Sequence, residues 1–516
     1  MSSIRLEIGD RVAWNNEKAT VCFIGEVPPT KGEWLGVEWD NPSRGKHNGC
    51  KDGVQYFKCN HPTGGSFIRE FKVSSGMSLL KAAKKRYIDD NVEEFESVSF
   101  QTKKVELVGC DSTQDLSSLK SISLLNCYVS SAGNPGEIAS ALSSVTSLNL
   151  NGTLMSSWED ISIIIEQLPK LSEIDLSRTK LRCKGNVNFT TSRTIKTVIL
   201  NDCSLSWRKI VQVSSMWPFA KFLGLSHNSI KNFDVIIPDN FLSNLESLQI
   251  NNNPIGQWKK LKFLNKFPNL SNLQVNSCGF ETLDVDELDL LSLKTLSLND
   301  NDFKFCSVFN ELNKLSSLKN LYFLRNKCML KNDKSLLAEI VISKISNLKR
   351  LNNQEITSQL RMDSEISYLK TYGLEWRNSG GHQNSAQNNP NQSFLISHPR
   401  YMQLVITHGA PQDVEIFKQT TALKSNLIEI NLVNSLMPDS KTFVRKLPKS
   451  MKISRLKLMV QKLMKVSDIK NYSLVYISKD DKNYVVELDR DSSTLHDVSI
   501  QPGDHIELRK SSFNDT

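Results

Sequence analysis

The stretch Leu245-Glu-Ser-Leu248-Gln-Ile250-Asn-Asn-Asn253-Pro-Ile255 decides the architecture of this chain. Apolar residues at 245, 248 and 250 are followed by an asparagine at 253. That spacing encodes a short strand with alternate side chains turned inward, closed by an amide that satisfies backbone groups at a bend. The same frame begins at Leu119, Val145, Leu171, Ile195, Ala220, Leu245, Leu270, Leu293 and Leu318, with a degenerate tenth at Leu348. Intervals between the first nine run from 23 to 26 residues. A unit of that length cannot bury its apolar face alone, so the units must stack into a solenoid.

The pattern is that of leucine-rich repeats. The closing residues Cys127, Cys203, Asn228, Asn253, Cys278, Asn301 and Asn326 are expected to turn inward, which makes those cysteines structural rather than reactive. Residues between the inward positions face the concave side: Ser147/Asn149/Asn151, Glu173/Asp175/Ser177, Thr197/Ile199/Asn201, Ser247/Gln249/Asn251, Asn272/Gln274/Asn276 and Thr295/Ser297/Asn299. The candidate contact residues there are Asn149, Asp175, Asn201, Asn251, Asn276 and Asn299. This surface is amide-rich and almost uncharged, which disfavours nucleic acid, since that would call for a Lys/Arg stripe. At about 4.8 Å per strand the concave arc spans about 40 Å, enough to hold a globular protein.

Working outward, Glu355–Trp376 reads as a helical cap on the open solenoid end. Residues 378–397 begin with an Asn/Gln/Ser/Gly-rich run without large apolar residues and are expected to be a flexible linker, followed by a helical segment over 398–424. Strands at Leu427–Val433 and Thr442–Leu447, a helix with Ile453, Leu456, Val460 and Leu463 on one stripe, and strands at Tyr472–Ile477, Tyr484–Leu488 and His505–Leu508 follow. The order ββαβββ over 425–510 resembles the ubiquitin-like β-grasp. Because the chain ends Ser-Ser-Phe-Asn-Asp-Thr rather than Gly-Gly, a docking surface is expected there, not a conjugated modifier.

Upstream of the repeats, ten of the 23 glycines fall within the first 76 residues, between short β-rich pieces. That alternation predicts a small, sharply turning barrel over 7–75, followed by a basic connecting helix at Ser78–Tyr87 within 76–99. The ten cysteines include no Cys-x-x-Cys pair, and no His/Cys cluster has zinc spacing. No cofactor or metal is expected. The N-terminus lacks an apolar stretch and no run is long enough to span a membrane, so the chain reads as cytoplasmic. The net charge of +9 is thinly spread. Without a nucleophile–base pair or a phosphate-cradling loop, a binder is expected rather than an enzyme.

Gly45-Lys46-His47-Asn48-Gly49 resembles the GKNDG signature of the CAP-Gly family. Gly32-Glu-Trp34-Leu-Gly36-Val37-Glu38 before it and Gly65-Ser66-Phe67-Ile68-Arg69 after it extend the likeness. The resemblance implies binding of acidic, aromatic-ended C-terminal tails, as on α-tubulin. Trp34 and Phe67 would wall an apolar slot, while Gly45, Lys46, His47, Asn48, Gly49 and Arg69 would approach the tail or meet its carboxylates. His47 and Asn48 stand where the family has Asn and Asp.

This order of a CAP-Gly module, leucine-rich repeats (100–377 with the cap) and a ubiquitin-like domain resembles the tubulin-folding cofactor E family. Gly76-Met-Ser-Leu-Leu-Lys-Ala, Arg361-Met-Asp-Ser-Glu-Ile-Ser-Tyr368 and His398-Pro-Arg-Tyr401 support it. The likeness implies a multidomain, cytoskeleton-associated chaperone that receives α-tubulin from cofactor B. With cofactors C and D it would assemble the α/β heterodimer and also dissociate it. Proteasome or ubiquitin machinery would be the partner of the last domain, with neither nucleic acid nor membrane involved. The alternatives are a microtubule-associated linker, for which no long heptad coiled coil is present, and a ubiquitin-pathway adaptor.

Overall fold

A computed structural model describes residues 6–89, 98–100, 103–105, 116–412 and 427–510, except 184, 186–188, 239–240, 287–288, 329–333, 436–441, 450, 465, 467–471, 480–484, 492, 496 and 499. Residues 90–97 of the connecting segment and 413–424 of the expected helical segment lie outside the described residues. The chain divides into two units, Met1–Glu365 and Ile366–Thr516.

The first unit opens with strands β1 (Arg11–Trp14), β2 (Glu17–Val27), β3 (Thr30–Trp39), β4 (Cys50–Lys51), β5 (Val54–Gln55) and β6 (Gly65–Ile68). An antiparallel sheet runs in the order β1-β2-β3-β6. Its inner face packs Val12, Ala19, Val21, Leu35, Val37, Trp39 and Ile68 into one small core. Helix α1 (Leu79–Lys84) follows, its first turn capped by the Ser78 hydroxyl, which accepts the Lys81 N–H at 3.4 Å. Leu79, Ala82 and Ala83 are buried whereas Lys81, Lys84 and Lys85 are exposed, so most of the basic run is a solvated face.

The repeats then form one sheet of ten parallel rungs, from Ser121–Ser123 to Arg350–Leu351, and Gln354–Glu355 pairs antiparallel to the last. Every frame start read from the sequence places its strand two residues later. The middle residue of each rung, such as Ile122, Leu148, Leu223, Leu248 and Leu296, is buried. Rung-closing amides knit neighbouring turns. The Asn253 carbonyl oxygen accepts the N–H groups of Asn228 (3.1 Å) and Ile230 (2.9 Å), and its amide nitrogen donates to the Leu225 (3.0 Å) and Ile250 (2.9 Å) carbonyls. Cys203 and Cys278 occupy the same position, donate their thiols to backbone carbonyls, and are pushed up to about 12 by burial. At the solenoid's end Arg361 donates to the carbonyls of Ile342 (2.9 Å) and Ile345 (3.3 Å), so the expected cap begins by satisfying the last turn of helix Lys334–Lys344.

The barrel is not merely tethered to this solenoid. Arg11, fully buried, pairs with Asp40, whose carboxylate also meets Lys180 at 2.8 Å. Arg182 meets Asp10 at 3.1 Å, and the Tyr128 hydroxyl donates to Asn16 at 3.2 Å. Burial pushes the Asp40 carboxyl up, but the hydrogen bond and charge of Arg11, joined by Lys180, outweigh it and hold it below the usual carboxylate range.

The second unit corrects one expectation. Residues 378–397 are not an unstructured linker. Gly381 lies directly against the Trp376 ring, the Trp376 indole N–H donates to Asn388 at 3.2 Å, and Asn389 N–H donates to the Gly380 carbonyl at 3.1 Å. Helices Gln392–Ser397 and Tyr401–His408 follow. The apolar residues that order this run come from its flanks, Trp376, Phe394 and Tyr401, rather than from within it. Strands Leu427–Asn434, Phe443–Pro448, Tyr472–Ile477, Val485–Glu487 and His505–Lys510 form a five-stranded sheet against helix Ile453–Met464, the expected β-grasp.

Candidate functional site: an aromatic groove on the barrel

The outer face of the barrel sheet is built around a glycine. Gly36 of β3 pairs with Phe23 of β2 and with Phe67 of β6, so all three share one face. A Cβ on Gly36 would stand 2.5 Å from the Phe57 ring, and its absence lets that ring lie flat on the sheet. Phe67 is the hub: Tyr56, Phe57 and Phe23 pack edge-on to it at 5.4, 5.5 and 6.3 Å, and His47 lies 5.0 Å away. Phe57 is buried, but Phe23, Tyr56, Phe67 and His47 remain half-exposed, leaving an apolar groove with open ring surface.

The Gly45–Gly49 loop borders this groove. Gly49 holds a positive φ of 94° and abuts the Phe57 carbonyl, where no side chain fits. Gly45 is pressed as closely against the Thr63 carbonyl. Much of the loop's backbone is engaged within the barrel. The N–H groups of Lys46 (2.7 Å) and His47 (3.3 Å) both donate to the Gly65 carbonyl, and Cys50 N–H donates to the Asn48 side chain at 3.2 Å. These three N–H groups are therefore not free to meet a ligand carboxylate. What remains at the mouth is side chain: Lys46 and Asn48 are exposed.

His47 is specialised. Its Nδ1 accepts the Gly49 N–H at 3.0 Å, so the neutral ring carries its proton on Nε2. Burial, then the nearby charges of Lys46 and Lys51, hold it below the ordinary histidine value. It is thus a neutral hydrogen-bond donor at physiological pH.

Trp34 and Arg69 contact each other. They are cross-strand neighbours, with the guanidinium 3.9 Å over the indole. Arg69 also donates to the carbonyls of Lys31 and Glu33, each at 2.8 Å, and the Trp34 N–H donates to Thr30 at 2.8 Å. This pair lies at one end of the same outer face, next to the Gly36–Phe67 pair, and the guanidinium is held by the barrel's own carbonyls. Sequence reasoning left out Phe23, Tyr56 and Phe57. Phe23 reaches the groove only because β2 bulges between Val21 and Phe23, and the sequence marks no such shift. The aromatic doublet Tyr56-Phe57, between the Gly45–Gly49 motif and its Gly65–Arg69 flank, was a readable signal.

The concave candidates share a second use. Asn276 accepts the Ser297 hydroxyl (2.7 Å) and Asn299 N–H (2.8 Å), Asn251 accepts Asn276 N–H (2.9 Å), Asn299 accepts Leu324 N–H (2.7 Å) and Asn201 accepts Ser226 N–H (2.7 Å). Asn149 and Asp175 are buried and accept N–H groups two residues on. Their oxygens build a rail along the rungs. Ile199, Phe222 and Gly224 interrupt it with an apolar spot that the frame-by-frame reading passed over, the Phe222 ring lying 3.4 Å from a Cβ placed on Gly224.

Among the described residues no His/Cys/Asp/Glu group could hold a metal, and no helix is long and apolar enough to cross a membrane. The fold defines a multidomain protein: a CAP-Gly barrel built onto a leucine-rich-repeat solenoid, with a ubiquitin-like domain after it in the chain. The CAP-Gly domain model matches residues 8–73. Tubulin-specific chaperone E of Xenopus laevis is 38% identical and that of Mus musculus 37% identical, each across 97% of this chain and 98% of the relative. The solution structure of the C-terminal ubiquitin-like domain of mouse tubulin-specific chaperone E matches at 25% identity and TM-score 0.17, covering 18% of this chain and 93% of that one. The chain belongs to the tubulin-specific chaperone E family.

Proposed function

We infer that this chain is a tubulin chaperone whose barrel grips the acidic, aromatic-ended C-terminal tail of α-tubulin while the solenoid's concave face holds the tubulin body. The observation that carries this reading is the groove: half-exposed rings around Phe67 accept a terminal aromatic side chain, with exposed Lys46 and the His47 Nε2–H beside them for carboxylates. Exposed ion pairs contribute only about 0.2–1 kcal/mol each, so ring burial sets affinity and the charges set orientation and on-rate. The relatives' name supports the tubulin assignment. In this reading the chain works with cofactors B, C and D to assemble and dissociate the α/β heterodimer, and its ubiquitin-like domain docks onto ubiquitin or proteasome machinery. It acts by binding, not by catalysis, in the cytoplasm beside the cytoskeleton.

Adding excess protein to soluble tubulin heterodimer tests this. The expected result is a stable complex and a smaller polymerisable fraction. Co-sedimentation with intact microtubules and an unchanged soluble pool would instead identify a microtubule linker.

A further inference from the structure

Between the barrel and the first rungs lies a cleft in two lobes that share Asn16 and Asn126. The first, about 370 Å³, is walled by α1 with Lys85 and Arg86 just beyond it, and by the bend Asn126–Tyr128 after the first rung. The second, about 450 Å³, is walled by the start of β2 and the bends at Gly152, Arg178 and Asp202. Five cations line it: Lys18, Lys85, Arg86, Arg178 and Lys180. Of these only Lys180 has a carboxylate partner among the described residues, Asp40 at 2.8 Å. Lys18 donates to the Asn126 side chain at 3.2 Å and to the Gly152 carbonyl, Arg178 to Asn151 at 2.7 Å, and Arg86 to the Cys127 sulfur at 3.7 Å. All these acceptors are neutral. The facing carboxylates are Asp40, already shared by Arg11 and Lys180, with Glu17 and Asp202. Positive charge is therefore in excess. Burial, followed by the charges of Arg178 and Arg11, pushes the Lys18 ammonium down, a strain that a bound anion would relieve.

The second lobe lies on the same face of the barrel sheet as the groove. Strand alternation puts Gly36, Glu38 and Asp40 on one face, and Gly36 floors the groove while Asp40 lines the second lobe. Four residues of extended chain, about 13 Å, separate them. A peptide leaving the groove in extended form needs about four residues to arrive. The cations are spread over two lobes rather than converging on one point, which suits several spaced carboxylates better than a single phosphate.

We propose that this cleft binds the acidic polypeptide stretch lying upstream of the aromatic end held in the groove. The proposal rests on the tail-binding reading above. It makes the seam between barrel and solenoid a second subsite, one that an isolated barrel would lack.

The test is fluorescence anisotropy on the full chain with two labelled peptides ending Glu-Glu-Tyr. One has about four residues and one about twelve, the extra residues being mainly glutamate. The variant carries Lys85→Ser and Arg178→Ser, two exposed side chains that do not join barrel to solenoid. Wild type is expected to bind the long peptide about tenfold more tightly than the short one. The variant should bind the long peptide no better than the short, with short-peptide affinity unchanged, which also shows that the barrel is intact. Equal affinity of wild type for both peptides overturns the cleft assignment and leaves the tail reading standing. Equal weakening of both by the variant overturns it too. Binding of neither peptide by wild type sinks the tail reading and the proposal together. Sodium phosphate and sodium chloride at equal ionic strength should weaken the long peptide alike. Selective displacement by phosphate would make this a phosphate site and overturn the polypeptide assignment.

Discussion

At the residue scale, the departure from the CAP-Gly signature is where the chain is most individual. His47 holds the Gly49 N–H through Nδ1 and presents Nε2–H outward, so it supplies a neutral donor where the family has an asparagine. Its proton affinity is lowered in the fold, so the folded chain binds fewer protons there than the unfolded chain. Stability from this site is therefore complete above the unfolded value and falls as pH drops from about 6.5 through the lower folded value. In a histidine Cε1–H NMR titration of the full chain, the resonance lost in His47→Asn should have a midpoint below about 6.5. A midpoint at or above that value would contradict the partial burial of the ring beside the Lys46 and Lys51 charges. The sequence showed that His47 and Asn48 were anomalous, but not which ring nitrogen would be tied down. That depends on Gly49 turning back at positive φ. Nor could it show Arg69 engaged by the carbonyls of its own barrel, since those carbonyls belong to the start of β3, 36 to 38 residues away.

At the element scale, the rung positions were legible, although Cys127, expected to turn inward, is half-buried and lines the cleft beside Arg86. A period of 23 to 26 residues with inward leucines fixes strand positions to the residue, and each rung appears where the frame put it. The double duty of the concave amides was not legible. A residue one position from the core looks solvent-facing in a pattern, yet its oxygen serves the next rung's backbone. The two asparagine sets should therefore respond differently. Asn253→Ala leaves the buried N–H groups of Asn228 and Ile230 without an acceptor and should cost about 3 kcal/mol, read as a lowered urea midpoint. Asn276→Ala, half-exposed and open to water, should cost about 1 kcal/mol. Asn276→Asp keeps the acceptor oxygen and should leave the midpoint within about 0.5 kcal/mol of wild type. A loss in Asn276→Asp as large as in Asn253→Ala would mean that the rail is not what the amide oxygen supports. The run at 378–397 misled because composition describes only a segment's own apolar content. Trp376 and Phe394, at its borders, supply the surface against which it orders.

At the scale of the whole molecule, barrel and solenoid are joined by ion pairs, Asp40 and Asp10 of the barrel facing Lys180 and Arg182 of the solenoid. Replacing Asp40 by Asn leaves Arg11 buried without its counter-charge. It should destabilise the first unit by about 2–3 kcal/mol, discounted from the fully buried case because Asp40 is one-third exposed. Since the Asp40 carboxyl is held below its ordinary value, its contribution is present above about pH 4 and lost as pH falls through the lower folded value. Wild type should thus lose stability under acid more steeply than Asp40→Asn in matched melts. Equal acid slopes would remove Asp40 from the seam's energetics. Nothing in either motif pairs residues 10 and 40 with 182 and 180, so this union could not be read from the sequence. The most direct test of the account is the affinity of the full chain for tubulin heterodimer with and without the terminal aromatic residue of the α-tubulin tail, for wild type and for Phe67→Ala. The account predicts that removing that residue weakens wild type about tenfold, and that Phe67→Ala binds both forms equally at the weakened level. Wild type binding the two forms with the same affinity would contradict it.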